Sequence, residues 1–302
     1  HIKKVKKYIM RQMYMINILF GLNIMKCVNT IMINIQDEYR SLLAGVLYNG
    51  KAKEDRTGTG TRSVFGRMIK HDMSLGFPLL TTKKIYFKHA VTELLWILQG
   101  RTDMHYLQSN GVNYWNPDYE RSGRSDGTLG PVYGKQLRDF NGVDQLKRIL
   151  IQIKNNPSSR RIMASLWNPN DLADMVLPPC HYGFQVYIND GKLNLMWQQR
   201  SVDVFLGLPY DIAMYGLLLQ LLAEGSEYAK GQLIGCFGDC HLYNNHIDQA
   251  KQQLDNDFRE LPRVDSSCGI TLVNEEVILP ELDMIKLKNY NPHPPIKAKL
   301  NT

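Results

Sequence analysis

The chain has 302 residues, 44% hydrophobic and 22% charged, which is enough for one large or two small domains of a soluble globular protein. Its net charge of +7 is concentrated in Lys3, Lys4, Lys6, Lys7, Arg11 and Lys26, with no acid among residues 1–31, so the basic balance describes a tail and argues against nucleic-acid binding by the folded body. Five cysteines, odd in number and irregularly spaced, exclude a disulfide framework and point to a reducing, cytoplasmic compartment.

Residues 1–31 start basic and contain an apolar run, Met13–Met25, that imitates a signal peptide. Asn17, Gly21 and Asn23 interrupt it, it is too short to span a bilayer, and no small-residue cleavage site follows. The expectation is a disordered extension over residues 1–31, an upstream translation artefact, with Met32 opening a catalytic domain over residues 32–302. A short helix lying on a membrane surface is the functional alternative; stable membrane association is not expected.

From there no linker or repeat divides the chain. Ile35, Tyr39, Leu42, Leu43, Val46 and Leu47 predict a helix over Ile35–Asn49 that ends near Gly50. Asp55–Thr61 is a glycine-rich loop without the lysine of a P-loop. It is either an ordinary turn or a phosphate-contacting loop that uses Arg56. A helix over Lys88–Gln99 carries Glu93 among Val91, Leu94, Leu95 and Trp96, where a carboxyl must be paired, protonated or functional. A second amphipathic helix spans Val143–Lys154. Arg160–Trp167, Phe184–Ile188 and Leu193–Gln199 read as strands. Leu208–Leu222 is a strongly apolar helix opened by Gly207-Leu208-Pro209. Helices and strands mix without a regular βαβ rhythm, so the fold class is α+β.

The densest polar cluster is Leu177-Pro178-Pro179-Cys180-His181 followed by Arg200-Ser201-Val202-Asp203. A thiolate beside a guanidinium has a lowered pKa and a holder for an anionic substrate, so attack by Cys180 on a phosphorylated molecule is the functional reading; a structural buried cysteine is the alternative. Cys236-x-x-x-Cys240-His241 has half of a zinc pattern, but no second ligand pair accompanies it, and no metal is expected. The Cys180-His181 adjacency does not supply a protease dyad.

These segments, in order, resemble the thymidylate synthase family over residues 32–302. They are Asp55–Thr61, Phe77-Pro78 with Thr81-Thr82-Lys83-Lys84, Glu93–Trp96, Leu129–Gln136, Ser159-Arg160-Arg161, Pro179-Cys180-His181, Gln199–Pro209, His241-Leu242-Tyr243 and His293–Lys297. The resemblance implies an α+β fold built on a mixed sheet flanked by helices, with the sheet as a homodimer interface. It also implies one-carbon transfer from 5,10-methylenetetrahydrofolate to C5 of a pyrimidine deoxynucleoside monophosphate. In that scheme Cys180 adds to C6, Glu93 serves as acid and base through water, and Tyr133 helps remove the C5 proton. Arg56, Arg200 and Ser201 hold the phosphate with Arg160 and Arg161 from the partner protomer, His241 and Tyr243 bind the sugar hydroxyl, and Gln199 and Asp211 meet the base. Trp115, Leu177, Asp203 and Gly207 contact the folate, and Lys83 meets its glutamate tail.

The chain departs from the family pattern in four places. Asp211 stands where a thymidylate synthase has Asn. That amide accepts from uracil N3–H and donates to O4; cytosine reverses both signs, and a protonated Asp matches it. Asp here resembles deoxycytidylate hydroxymethylases of the same superfamily and turns the expectation toward dCMP, with thymidylate synthesis from dUMP as the alternative. The polar end Lys299–Thr302 replaces small apolar residues, a looser lid that favours capture of water over hydride, or a frayed tail of no consequence. Leu137 and Asn116 replace Trp and Asp. A nucleotide- or RNA-binding protein that has lost catalysis is disfavoured by the presence of Cys180, Glu93 and Tyr133 together.

Overall fold

The structure, a computed structural model, describes residues 34–301, so the extension expected over residues 1–31 and the start expected at Met32 lie outside it. Asn34 caps α1 (Ile35–Asn49) by accepting from the Gln36 N–H, and the chain leaves at Gly50, which gives the helix the bounds that its apolar spacing predicts. There follow β1 (Lys51–Lys53), β2 (Thr61–Asp72), α2 (Phe87–Leu98), α3 (Met104–Ser109), α4 (Asn116–Ser122), α5 (Tyr133–Arg138) and α6 (Gln145–Asn155). Next come β3 (Met163–Ser165), β4 (His181–Asn189), β5 (Lys192–Asp203), α7 (Leu208–Glu224), β6 (Ala229–Tyr243) and α8 (Ile247–Asp255). The C-terminal part adds β7 (Arg263–Ser266), β8 (Thr271–Val273), β9 (Glu276–Ile278) and β10 (Ile285–Lys288).

Six strands form one mixed sheet in the order β1–β2–β6–β5–β4–β3. Within it β5 and β6 run parallel and the other neighbours antiparallel. On β5 the pleat turns Leu193, Leu195, Trp197 and Gln199 into the core and leaves Asn194, Met196, Gln198 and Arg200 on the other face. Helix α7 packs on the inner face against β5 and β6, with α2 beside it. Fourteen of its residues are buried, so it is apolar all round rather than striped. No described helix is long and apolar enough to cross a membrane.

Gly216 sits in the middle of α7, where alanine would ordinarily favour a helix. Here an added Cβ would lie 2.4 Å from Cγ of the rigid Pro78 ring. Gly216→Ala is therefore expected to destabilise the fold by about 1–3 kcal/mol, read as a lower midpoint in urea; a raised midpoint would contradict this packing.

The strand expected over Arg160–Trp167 shrinks to Met163–Ser165. The Ser159 hydroxyl accepts from the Arg161 N–H at 3.1 Å, and this local turn takes the backbone out of extension just before β3. The long strands β2 and β6 were not expected from the sequence.

Candidate active site

A short hairpin brings the thiol and its arginine together. Between β4 and β5 the turn uses Asp190 at φ 50° and Gly191 at φ 71°, the left-handed pair that a two-residue hairpin needs. The strands then run back in register until Gly183 faces Gln198, and a bulge between Gly183 and His181 sets His181 opposite Gln199. Just beyond, the Arg200 N–H donates to the Cys180 carbonyl at 2.8 Å. The Arg200 guanidinium donates to the Pro179 oxygen at 2.9 Å and the Pro178 oxygen at 3.0 Å, which docks it on the turn that presents Cys180. The parallel neighbour β6 sets His241 beside Asp203, and β2 sets Ser63 beside His241.

Arg56, Glu93, Trp115, Tyr133, Leu177, Cys180, Gln199, Arg200, Ser201, Asp203, Asp211, His241 and Tyr243 line one cleft of about 460 Å³ at this end of the sheet. The expectation of a lowered Cys180 pKa is overturned. Burial pushes the thiol up to about 11; the Arg200 charge opposes this, while Asp211 and Asp118 add to it. The group therefore rests as a thiol. Its backbone N–H donates to the Tyr133 hydroxyl oxygen at 3.0 Å, leaving the phenolic proton available to another partner. Tyr133 stacks on His181 at 4.3 Å between centroids, and His181 Nδ1 is hydrogen-bonded to the Tyr215 hydroxyl at 2.8 Å. Burial lowers the His181 pKa to about 3, so the ring stays neutral and serves as packing beneath the thiol rather than as its base.

Glu93, on α2, points into the cleft, and burial raises its pKa although two donors favour the carboxylate. Asp211, in the first turn of α7, accepts from Gln199 Nε2 at 2.8 Å through Oδ2. Burial raises its pKa to about 7, with Glu93 and Asp203 adding charge repulsion. Burial disfavours imidazolium at His241, yet the Asp239 carboxylate outweighs it and the pKa rises. Asp203 Oδ1 accepts from the Phe205 and Leu206 N–H groups at 2.9 and 3.0 Å, which fixes the carboxylate at the mouth of α7.

Four of the residues chosen from the sequence do not line this cleft. Lys83 is only 4% exposed and donates to the Phe205 carbonyl with its ammonium over the Phe205 ring, so the structure turns it inward and out of this cleft. Gly207 is not among the lining residues; its carbonyl accepts from the Tyr210 and Asp211 N–H groups at 2.9 and 3.2 Å, and it shapes the start of α7 beside Asp203 and Asp211. Arg160 and Arg161 are exposed on the stretch before β3 and lie outside their own chain's cleft. Conversely, Tyr114 and Asp118 line the cleft and were not picked out, and His181 and Asn301, quoted only within their segments, line it too. Tyr114 carries no spacing signal, because its partner Glu93 lies 21 residues earlier on another element. No group of three or more His, Cys, Asp or Glu suited to a metal ion occurs among the described residues.

A thiol, two carboxyls of raised pKa and two guanidiniums around one cleft of an α+β sheet are the arrangement of an enzyme active site. The thymidylate synthase family profile matches residues 37–302. A thymidylate synthase of Mycoplasma mobile is 42% identical over 289 residues, covering 87% of this chain and 99% of that protein. The chain belongs to the thymidylate synthase family.

Proposed function

We propose that this enzyme transfers a one-carbon unit from 5,10-methylenetetrahydrofolate to C5 of dCMP, through an adduct between Cys180 Sγ and C6 of the base. Membership of the family makes it a methylenetetrahydrofolate-dependent pyrimidine nucleotide C5 transferase. The base preference rests on Asp211. Its pKa is raised to about 7, so about half of the carboxyl is neutral at pH 7, and its Oδ1 has no hydrogen-bond partner among the described residues. A neutral carboxyl gives cytosine N3 a donor and the 4-amino group an acceptor.

Each residue then has a task. Arg56, Arg200 and Ser201 grip the 5′-phosphate, and His241 and Tyr243 meet the sugar hydroxyl. Cys180 adds to C6, which makes C5 nucleophilic. Glu93 moves protons through water at the base, and Tyr133 assists loss of the C5 proton. Trp115, Leu177 and Asp203 form an aromatic and apolar wall with one carboxylate, a donor set that fits a folate ring; the folate supplies the one-carbon unit.

The working unit is a homodimer that places Arg160 and Arg161 of one protomer in the partner's phosphate site. Their exposure outside their own cleft supports this. So does the outer sheet face, where Met68, Met163 and Tyr187 are 52%, 54% and 59% exposed. The cytoplasm is the proposed location, in keeping with Cys180, Cys236, Cys240 and Cys268 all being free thiols.

A second reading, synthesis of thymidylate from dUMP with release of dihydrofolate, is favoured by the name of the 42% identical relative. Purified protein incubated with methylenetetrahydrofolate and either dCMP or dUMP separates the two. Product mass from dCMP, methyl or hydroxymethyl, is the expected result. Turnover of dUMP alone, with dihydrofolate appearing, would reject the cytosine assignment.

A further inference from the structure

Both oxygens of Glu93 are occupied by two consecutive residues. Oε2 accepts from the Tyr114 hydroxyl at 2.6 Å and Oε1 accepts from Trp115 Nε1 at 2.8 Å. An ionised carboxylate only accepts, so two donors on its two oxygens favour the carboxylate against the burial that opposes it. One donor would leave the group free to swing about its last torsion; two, on different oxygens, fix its plane.

Tyr114 is itself held. Its ring lies 6.5 Å from His89 of α2 and 6.4 Å from Tyr210 of α7, tilted against each at 54° and 48°. It therefore bridges the helix that carries Glu93 and the helix that carries Asp211. We infer that Tyr114 is a positioning residue for the reaction, its hydroxyl fixing the Glu93 carboxylate in the plane and ionisation state from which it exchanges protons.

The other groups around Glu93 do not replace this donor. Tyr133 of α5 accepts from the Cys180 N–H and makes no hydrogen bond to Glu93, Tyr215 of α7 bonds His181, and Asp211 of α7 is a second carboxyl that repels. Burial alone drives Glu93 toward its protonated form; the Tyr114 bond is first among the influences that oppose it, with Trp115 the other.

The inference rests on the reading of Glu93 as the acid–base group, and the experiment keeps the two apart. Tyr114→Phe retains the ring between His89 and Tyr210 and deletes only the O–H. Loss of a donor to the carboxylate raises the pKa of Glu93, so its ionised form is lost at a higher pH. The acid limb of kcat/KM should move up by about one pH unit, and kcat below that limb should fall about tenfold. The KM for nucleotide should not change. Tyr114→Leu, which removes ring and hydroxyl together, should move the limb the same way, so the result does not depend on one variant folding. If Glu93→Gln is inactive while neither Tyr114 variant moves the limb, Tyr114 is only part of the wall and the inference is overturned. If Glu93→Gln keeps full turnover, the acid–base role of Glu93 is itself wrong, and this inference goes with it.

Discussion

Cys180→Ser is expected to lower turnover by about 10⁴-fold or more while nucleotide affinity stays close to that of the parent. The two quantities separate because different groups carry them. In the proposed scheme the phosphate is held by Arg56, Arg200 and Ser201, none of which the substitution touches, and Arg200 is anchored on the carbonyls of Pro178 and Pro179 whatever atom follows them. The chemical step, by contrast, needs a soft nucleophile to add to C6, and a serine hydroxyl is far weaker in that role. Isothermal titration with dCMP beside steady-state assays reads both. A serine chain with parent turnover would end every covalent scheme.

Asp211→Asn should turn the base preference from dCMP toward dUMP, by about tenfold or more in the ratio of kcat/KM values. Each carboxamide or carboxyl presents one donor and one acceptor, and only their order changes. A mismatched pair leaves buried polar groups facing like with like, at about 1–3 kcal/mol. The same residue sets a pH dependence. Burial raises the folded pKa of Asp211 to about 7, so its neutral form is lost as pH rises past that point, and dCMP turnover should decline there. Between about pH 4, the usual carboxylate range, and pH 7 the folded chain keeps a proton that the unfolded chain has released, so stability falls as pH rises through that window. Asp211→Asn should remove both trends. A variant with unchanged base preference would sink the assignment.

Much of this site was legible because its chemistry is local in the chain. Pro179-Cys180-His181, the Arg200–Asp203 run and the Leu208 helix start each announce themselves by residue type, and the helix at Ile35–Asn49 has its apolar spacing and both ends marked. The scaffold that joins them was not legible. Strand β2 mixes Arg62, Arg67, Lys70 and His71 with apolar residues and has Gly66 at φ 72°, so no alternation survives. Strand β6 is broken up by Gly231, Gly235 and Gly238, which read as turns; an added Cβ at Gly235 would lie 2.5 Å from the Phe237 ring, so tight packing and not a bend asks for glycine there. Lys83 shows the reverse error. A lysine beside Lys84 looks like surface charge, yet the fold seats it on the Phe205 carbonyl and ring. The Cys180 pKa went astray because the sequence shows Arg200 close by but not the burial or the carboxyls of Asp118 and Asp211, which together outweigh it.

The resting protonation of Cys180 has a consequence for survival between turnovers. Oxidants and alkylating agents react with the anion of sulfur, and a side chain that retains its hydrogen at neutral pH presents them with little target. The empty enzyme is therefore expected to react slowly with iodoacetamide at neutral pH, and rapid labelling of Cys180 would contradict a resting thiol.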